Sequence, residues 1–192
     1  MSKSNPKQEI FLAARKLFSR KGYHGTTIRD IAEAKGILSG SLYAHIASKE
    51  DLLFHIVDEG ADVFLQVLTP IVTSEGTASE KLERGLIEHI RVVTTQKDAA
   101  KVFLQEWTAL SEERRSFIQK KRDAYEQLWV QLLEDGTQEG IFTSDDLKYL
   151  RLLILSVGNW VYEWYNENGD LSPEDIAKRF SSIILYGALK RQ

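Results

Sequence analysis

Between Ser39 and His45 the sequence gathers two hydroxyls, a phenol and an imidazole among very small side chains: Ser39, Gly40, Ser41, Tyr43, Ala44 and His45, with a single apolar Leu42 inside the run. On a short helix anchored by Leu42 these groups form a small, polar outer surface. Such a surface fits the major groove of DNA, where small residues let a helix approach the base edges. No other cluster promises comparable chemistry. The four histidines (24, 45, 55 and 89) share no metal-ligand spacing with nearby carboxylates, and no nucleophile stands beside a base. No enzyme activity, metal or cofactor is therefore expected. With no cysteine in the chain, thiol chemistry, disulfides and cysteine zinc sites are excluded.

The elements around the cluster have the mechanics of a helix-turn-helix. Ile10, Ala13, Ala14, Leu17 and Phe18 follow the spacing of a helix with one buried stripe, which Gly22-Tyr23-His24-Gly25 ends. Thr26 or Thr27 can cap a second short helix whose inner side is Ile28, Ile31 and Ala32. Gly36 supplies the tolerance of positive φ that a tight turn needs. A third short helix carries Leu42 and Ile46 inward, and Ser48-Lys49-Glu50-Asp51 opens a long fourth helix as a variant capping box. Residues 1–50 hold nine Lys/Arg against four acids, while the rest of the chain holds 16 against 24. A basic head on an acidic body suits phosphate contact by the head alone.

These residues carry a resemblance. Gly22-Tyr23, the run Thr26 through Ala32, Gly36, Gly40-Ser41-Leu42-Tyr43-Ala44-His45 and Ser48 through Leu52 resemble the DNA-binding domain of the TetR family of repressors, without gaps over residues 10–53. Two positions depart from the family's pattern: Leu38 replaces a polar residue that often caps the recognition helix, and Ile46 replaces a common Phe. The resemblance implies that Thr27, Ser41, Tyr43, His45 and Lys49 hold the phosphate backbone, and that Ser39, Gly40, Tyr43 and Ala44 face base edges or thymine methyls. Three of them have a plainer alternative: Tyr43 as a core aromatic, His45 as a surface imidazole, Lys49 as a flank of the next helix cap. Arg29 points outward as a phosphate partner or a solvated charge.

Beyond residue 50 the pattern is helical nearly throughout, with expected helices over 79–96, 99–110, 113–137, 145–166 and 172–190 and a break at Thr69-Pro70. The fold class expected is all-α: a three-helix DNA-binding domain over residues 1–50, then an all-helical ligand-binding and dimerisation domain over 51–192. Bulk beside an isolated polar group marks His89, Phe103, Trp107, Tyr125, Trp129, Asn159, Trp160 and Glu163 as candidates for an effector pocket; for each, simple core or surface packing is the alternative. Asn159 through Tyr165 and Ile37 through Tyr43 are similar to the branch of the family that answers to acyl-CoA thioesters. That likeness implies an acyl-CoA effector, with Arg91, Arg114, Arg115, Lys121 and Arg122 as sources of charge for its phosphates; another hydrophobic or aromatic small molecule is the alternative. Leu150, Ile154, Val157, Val161, Phe180 and Ile184 are expected at a homodimer interface, since in the family the last two helices pair with their twins. Two recognition helices about 34–36 Å apart also require two subunits. The resulting expectation is a palindromic double-stranded DNA operator, repression relieved by effector, and activation as the rival sign. The polar start has no apolar signal segment, and Leu150–Val157 is too short to span a bilayer, so a cytoplasmic protein without a membrane partner is expected.

Overall fold

The computed structural model describes residues 6–187, and among them there is no strand. Among the described residues nine α-helices follow one another: α1 Pro6–Lys21, α2 Ile28–Lys35, α3 Ser39–Leu42, α4 Lys49–Val72, α5 Ala78–Thr95, α6 Lys97–Gln105, α7 Glu112–Gln138, α8 Leu147–Trp164 and α9 Pro173–Tyr186. No helix of the described residues is long and apolar enough to cross a membrane. The helices form two compact units, one from residues up to Asp62 with Asp98–Lys120, the other from Val63–Lys97 with the residues from Lys121 onward. Helices α4 and α7 contribute to both.

Local chemistry sets most helix starts. Thr27, Thr77 and Ser172 each cap the helix that follows through a reciprocal capping box, with Asp30, Glu80 and Asp175 as the returning carboxylates. Pro173 occupies the first turn of α9, where its missing N–H costs nothing. Helix α5 therefore begins one residue before the expected Ser79, because Thr77 and not the serine accepts the Glu80 amide.

Three boundaries differ from expectation for identifiable reasons. Helix α4 runs through Pro70 to Val72 instead of breaking there. Proline in the last turn removes one amide donor, and the Thr69 and Thr73 hydroxyls donate to the Leu65 and Thr69 carbonyls at 2.7 and 3.0 Å. The helix expected over 99–110 stops at Gln105 and gives way to a 3₁₀ turn at Trp107–Ala109. The last helix ends at Tyr186; the expected residues 188–190 lie outside the described residues.

In the first unit, Ile10, Ala14 and Phe18 of α1 are buried with Ile31, Ala32, Leu42, Ile46, Leu52 and Leu53. In the second, Trp129 is the largest fully buried side chain, in a core with Phe64, Leu68, Leu82, Leu86 and Ile90. Gly136 lies in the last turn of α7, where a side chain has no room: a Cβ would stand 2.3 Å from the Phe142 ring and 2.8 Å from Ala78 Cβ. Gly136→Ala is expected to cost about 1–3 kcal/mol through this overpacking, read as a lower melting temperature by circular dichroism.

Candidate DNA-reading surface and effector site

The turn between α2 and α3 is built from the residues the sequence offered for it. Gly36 adopts φ 67° and closes α2 through its amide to the Ala32 and Glu33 carbonyls. Leu42 is fully buried beneath α3, and Ile46 lies under the following turn. The pair thereby turns Gly40, Ser41, Tyr43, Ala44 and His45 outward as exposed residues, with Ser39 half-buried. Tyr43 is 56% exposed, so it is not a core aromatic. Leu38, at the N-cap of α3, makes no side-chain cap and is 79% exposed, as expected of a leucine that has no acceptor to offer.

Thr27 and Lys49 are more committed within the unit than the sequence suggested. The Thr27 hydroxyl donates to Asp30 Oδ2 at 2.5 Å and accepts from the Asp30 amide, and the Thr27 amide donates to the same carboxylate at 2.7 Å. These bonds, with Lys21 beside them, hold the Asp30 carboxyl down to about 2. Thr27 thus fixes the start of α2 and keeps no idle donor for a phosphate. Lys49 donates from Nζ to the Tyr23 and Thr26 carbonyls at 2.9 and 2.8 Å and lies 4.1 Å from the centre of the Tyr23 ring. Partial burial lowers its pKa. The ammonium ties the loop after α1 to the start of α4 and retains one N–H for an outside acceptor. Lys49→Met, which keeps the stem and removes both bonds, is expected to destabilise the protein by about 1–2 kcal/mol in a denaturant titration. Arg29 is exposed on α2.

A set of carboxylates steadies the same unit, and sequence reasoning missed it. Glu106 accepts the Tyr23 amide at 2.8 Å, and Glu50 accepts the Ser111 amide at 2.9 Å. Asp51 pairs with Arg114, whose guanidinium also lies 5.1 Å from the Phe54 ring centre. Separations of 83, 61 and 63 residues leave no local signal for these contacts. They also spend Arg114 within the protein, and Arg91 is likewise paired with Glu88. Neither stands as an unengaged cation for an effector's phosphates.

Of the eight effector candidates, the second unit brings together His89, Tyr125, Trp129 and Asn159. His89 Nδ1 is 2.7 Å from the Tyr125 hydroxyl, and both residues are buried. The Phe64 ring lies 5.1 Å from the imidazole, and Tyr125 meets Trp129 edge to face at 6.4 Å. Burial drives the His89 pKa down to about 4, only partly opposed by Asn159, and raises that of Tyr125. At neutral pH the pair is therefore an uncharged imidazole and an intact phenol. Phe103 and Trp107 belong to the first unit, where the Phe103 ring packs on Gly60. Trp160 is 60% exposed and Glu163 is exposed, so both stand on the outer side of α8.

Helix α8 has two apolar sides. Ile154 and Val161, expected at a subunit interface, are 1% and 0% exposed within the single chain and serve as its core instead. The 3.6-residue period sends Tyr149, Leu153, Trp160 and Trp164 outward, joined by Leu152 and by Ile183 and Tyr186 of α9, all exposed. Leu150, Val157, Phe180 and Ile184 are half-buried.

Comparison with known proteins accounts for both parts of the chain. The model for bacterial regulatory proteins of the tetR family matches residues 10–56, and that for the tetracyclin repressor-like C-terminal domain matches residues 75–188. The HTH-type transcriptional repressor KstR2 of Rhodococcus jostii RHA1 is 32% identical over 187 residues, covering 96% of this chain and 92% of that protein. The solved ketosteroid transcriptional regulator KstR2 of Mycobacterium tuberculosis superposes with a TM-score of 0.89 at 28% identity, over 98% of this chain and 97% of that one. AibR, solved in complex with isovaleryl coenzyme A and operator DNA, superposes with a TM-score of 0.84 at 27% identity, over 94% and 98%. Head and body together make this chain a member of the TetR family, a transcriptional regulator and not an enzyme.

Proposed function

We propose that the protein is a repressor that binds a palindromic operator as a homodimer and lets go when an acyl-CoA occupies its second unit. The observation that carries this reading is that the likeness runs through head and body alike, both to a repressor and to AibR with its isovaleryl coenzyme A and operator DNA. In this reading Ser41, Tyr43, His45, the remaining Lys49 N–H and Arg29 hold phosphates, and Ser39, Gly40, Tyr43 and Ala44 face the bases. The outer apolar side of α8 and α9 takes a second copy of the chain, which supplies the second reading helix. His89, Tyr125, Trp129 and Asn159 belong to the effector site. Because α4 contributes to both units, a change around the effector is passed along that helix to the head. Ligand and operator then oppose one another through a coupling of about 1–3 kcal/mol. An operator in the bacterial chromosome places the protein in the cytoplasm.

The test is to select genomic fragments with the purified protein, footprint the best site, and titrate isovaleryl coenzyme A into the complex. A palindromic footprint, weakened by the thioester about 5- to 150-fold, is expected. No specific site would end the operator reading. A site indifferent to acyl-CoA thioesters but released by a hydrophobic or aromatic compound would move the effector to that class. Transcription from the footprinted promoter in vitro gives the sign, and stimulation by the unliganded protein would make it an activator.

A further inference from the structure

Inside the second unit a line of polar side chains ends on a buried nitrogen with nothing to bond. It begins at Trp129 of α7, whose indole N–H acts on the Tyr125 phenol as a donor and meets no partner in full hydrogen-bond geometry. Tyr125 stands 2.7 Å from His89 Nδ1. On the far edge of the imidazole, Nε2 is buried without a hydrogen bond.

The donor inventory allows one arrangement that uses every group: an indole can only donate, so the phenol oxygen facing it accepts there, which leaves the phenol's own proton for His89 Nδ1. An imidazole that accepts at Nδ1 and is uncharged carries its proton on Nε2. The low His89 pKa, caused by burial, keeps the ring neutral. Gly158 packs against that edge, and a Cβ there would stand 2.7 Å from Cδ2 and 2.9 Å from Nε2, so no larger residue fits beside it. The side chains packed on the imidazole, Phe64, Tyr125 and Asn159, carry no charge. A buried donor facing uncharged neighbours is matched by a neutral oxygen, whereas a carboxylate would enter without a counter-charge.

We infer that His89 Nε2–H, oriented by Tyr125 and Trp129, is the specificity-determining donor for a neutral carbonyl oxygen of the effector: a thioester, ester or ketone. This rests on the reading of the second unit as an effector site. It adds the atom that selects the ligand, and it assigns Tyr125 and Trp129 as positioning residues that fix the tautomer.

Two measurements test it. Nitrogen-15 NMR of the imidazole in the full, unliganded protein reads the tautomer without any ligand, and the Nε2–H form is expected at pH 7. The Nδ1–H form would overturn the proposal, because Nε2 would then accept. Calorimetry compares isovaleryl coenzyme A with its thioether analogue, in which a methylene replaces the carbonyl. Wild type is expected to favour the thioester about tenfold or more. The preference should vanish in His89→Phe, which keeps a ring in place, and shrink in Tyr125→Phe. Equal affinities in wild type would overturn the proposal and leave the acyl-CoA reading standing. Binding of neither compound would remove the acyl-CoA reading, and the tautomer would still decide the role of Nε2.

Discussion

Tyr43→Ala is expected to weaken specific operator binding at least about 30-fold while leaving the folded protein intact. The phenol is more than half exposed at the end of α3, so its removal opens no cavity; Leu42 beside it carries the packing. A lost phosphate or base-edge contact costs about 1–3 kcal/mol per copy. Present twice in a dimer, that amounts to roughly 30-fold to 10⁴-fold in affinity. Fluorescence anisotropy with the footprinted site measures it, alongside thermal melts that should coincide with wild type. Affinity within a factor of two of wild type would move the reading surface away from α3. A salt series sharpens the result: loss of a bond from a neutral phenol should weaken binding with little change in the salt slope, since fewer contacts but no fewer cations engage the phosphates.

The double change Leu153→Glu with Trp160→Glu should leave the chain monomeric and its operator affinity at least about 100-fold lower. Both side chains stand outward on α8, beside Tyr149 and Trp164, with Ile183 and Tyr186 of α9 also exposed. An exposed apolar run of this kind suits the proposed interface between copies. Carboxylates placed opposite their own symmetry mates bury like charge and cannot be paired. Sedimentation velocity reads the oligomer directly. A dimer that survives both substitutions would place the interface elsewhere, whereas Ile154→Glu is no such test, because that residue is core and its change unfolds the chain.

These two expectations draw unequally on sequence and structure. The head was legible because its determinants are neighbours along the chain. Thr27 caps α2 three residues from Asp30, Gly36 turns the chain one residue past α2, and Leu42 anchors α3 from within it. A helix-turn-helix is specified by contacts of this range, so residue types in order are enough to place the small polar run from Ser39 to His45. The acyl-CoA likeness, too, came from contiguous residues.

The rest depended on which surfaces meet. Helical periodicity showed two apolar stripes on α8 but not which one the chain keeps for itself; the packing of the second unit turned Ile154 and Val161 inward and Leu153 and Trp160 outward. Lys49 reads as a phosphate ligand in sequence, yet the fold brings two carbonyls from 23 and 26 residues away to its ammonium. His89 and Tyr125 are 36 positions apart, and their hydrogen bond exists only because α5 and α7 share a core. Short-range chemistry fixed the caps, the turn and the small polar run from Ser39 to His45. Burial, which depends on every neighbour at once, decided which apolar stripe faces out and which buried imidazole edge is left without a partner.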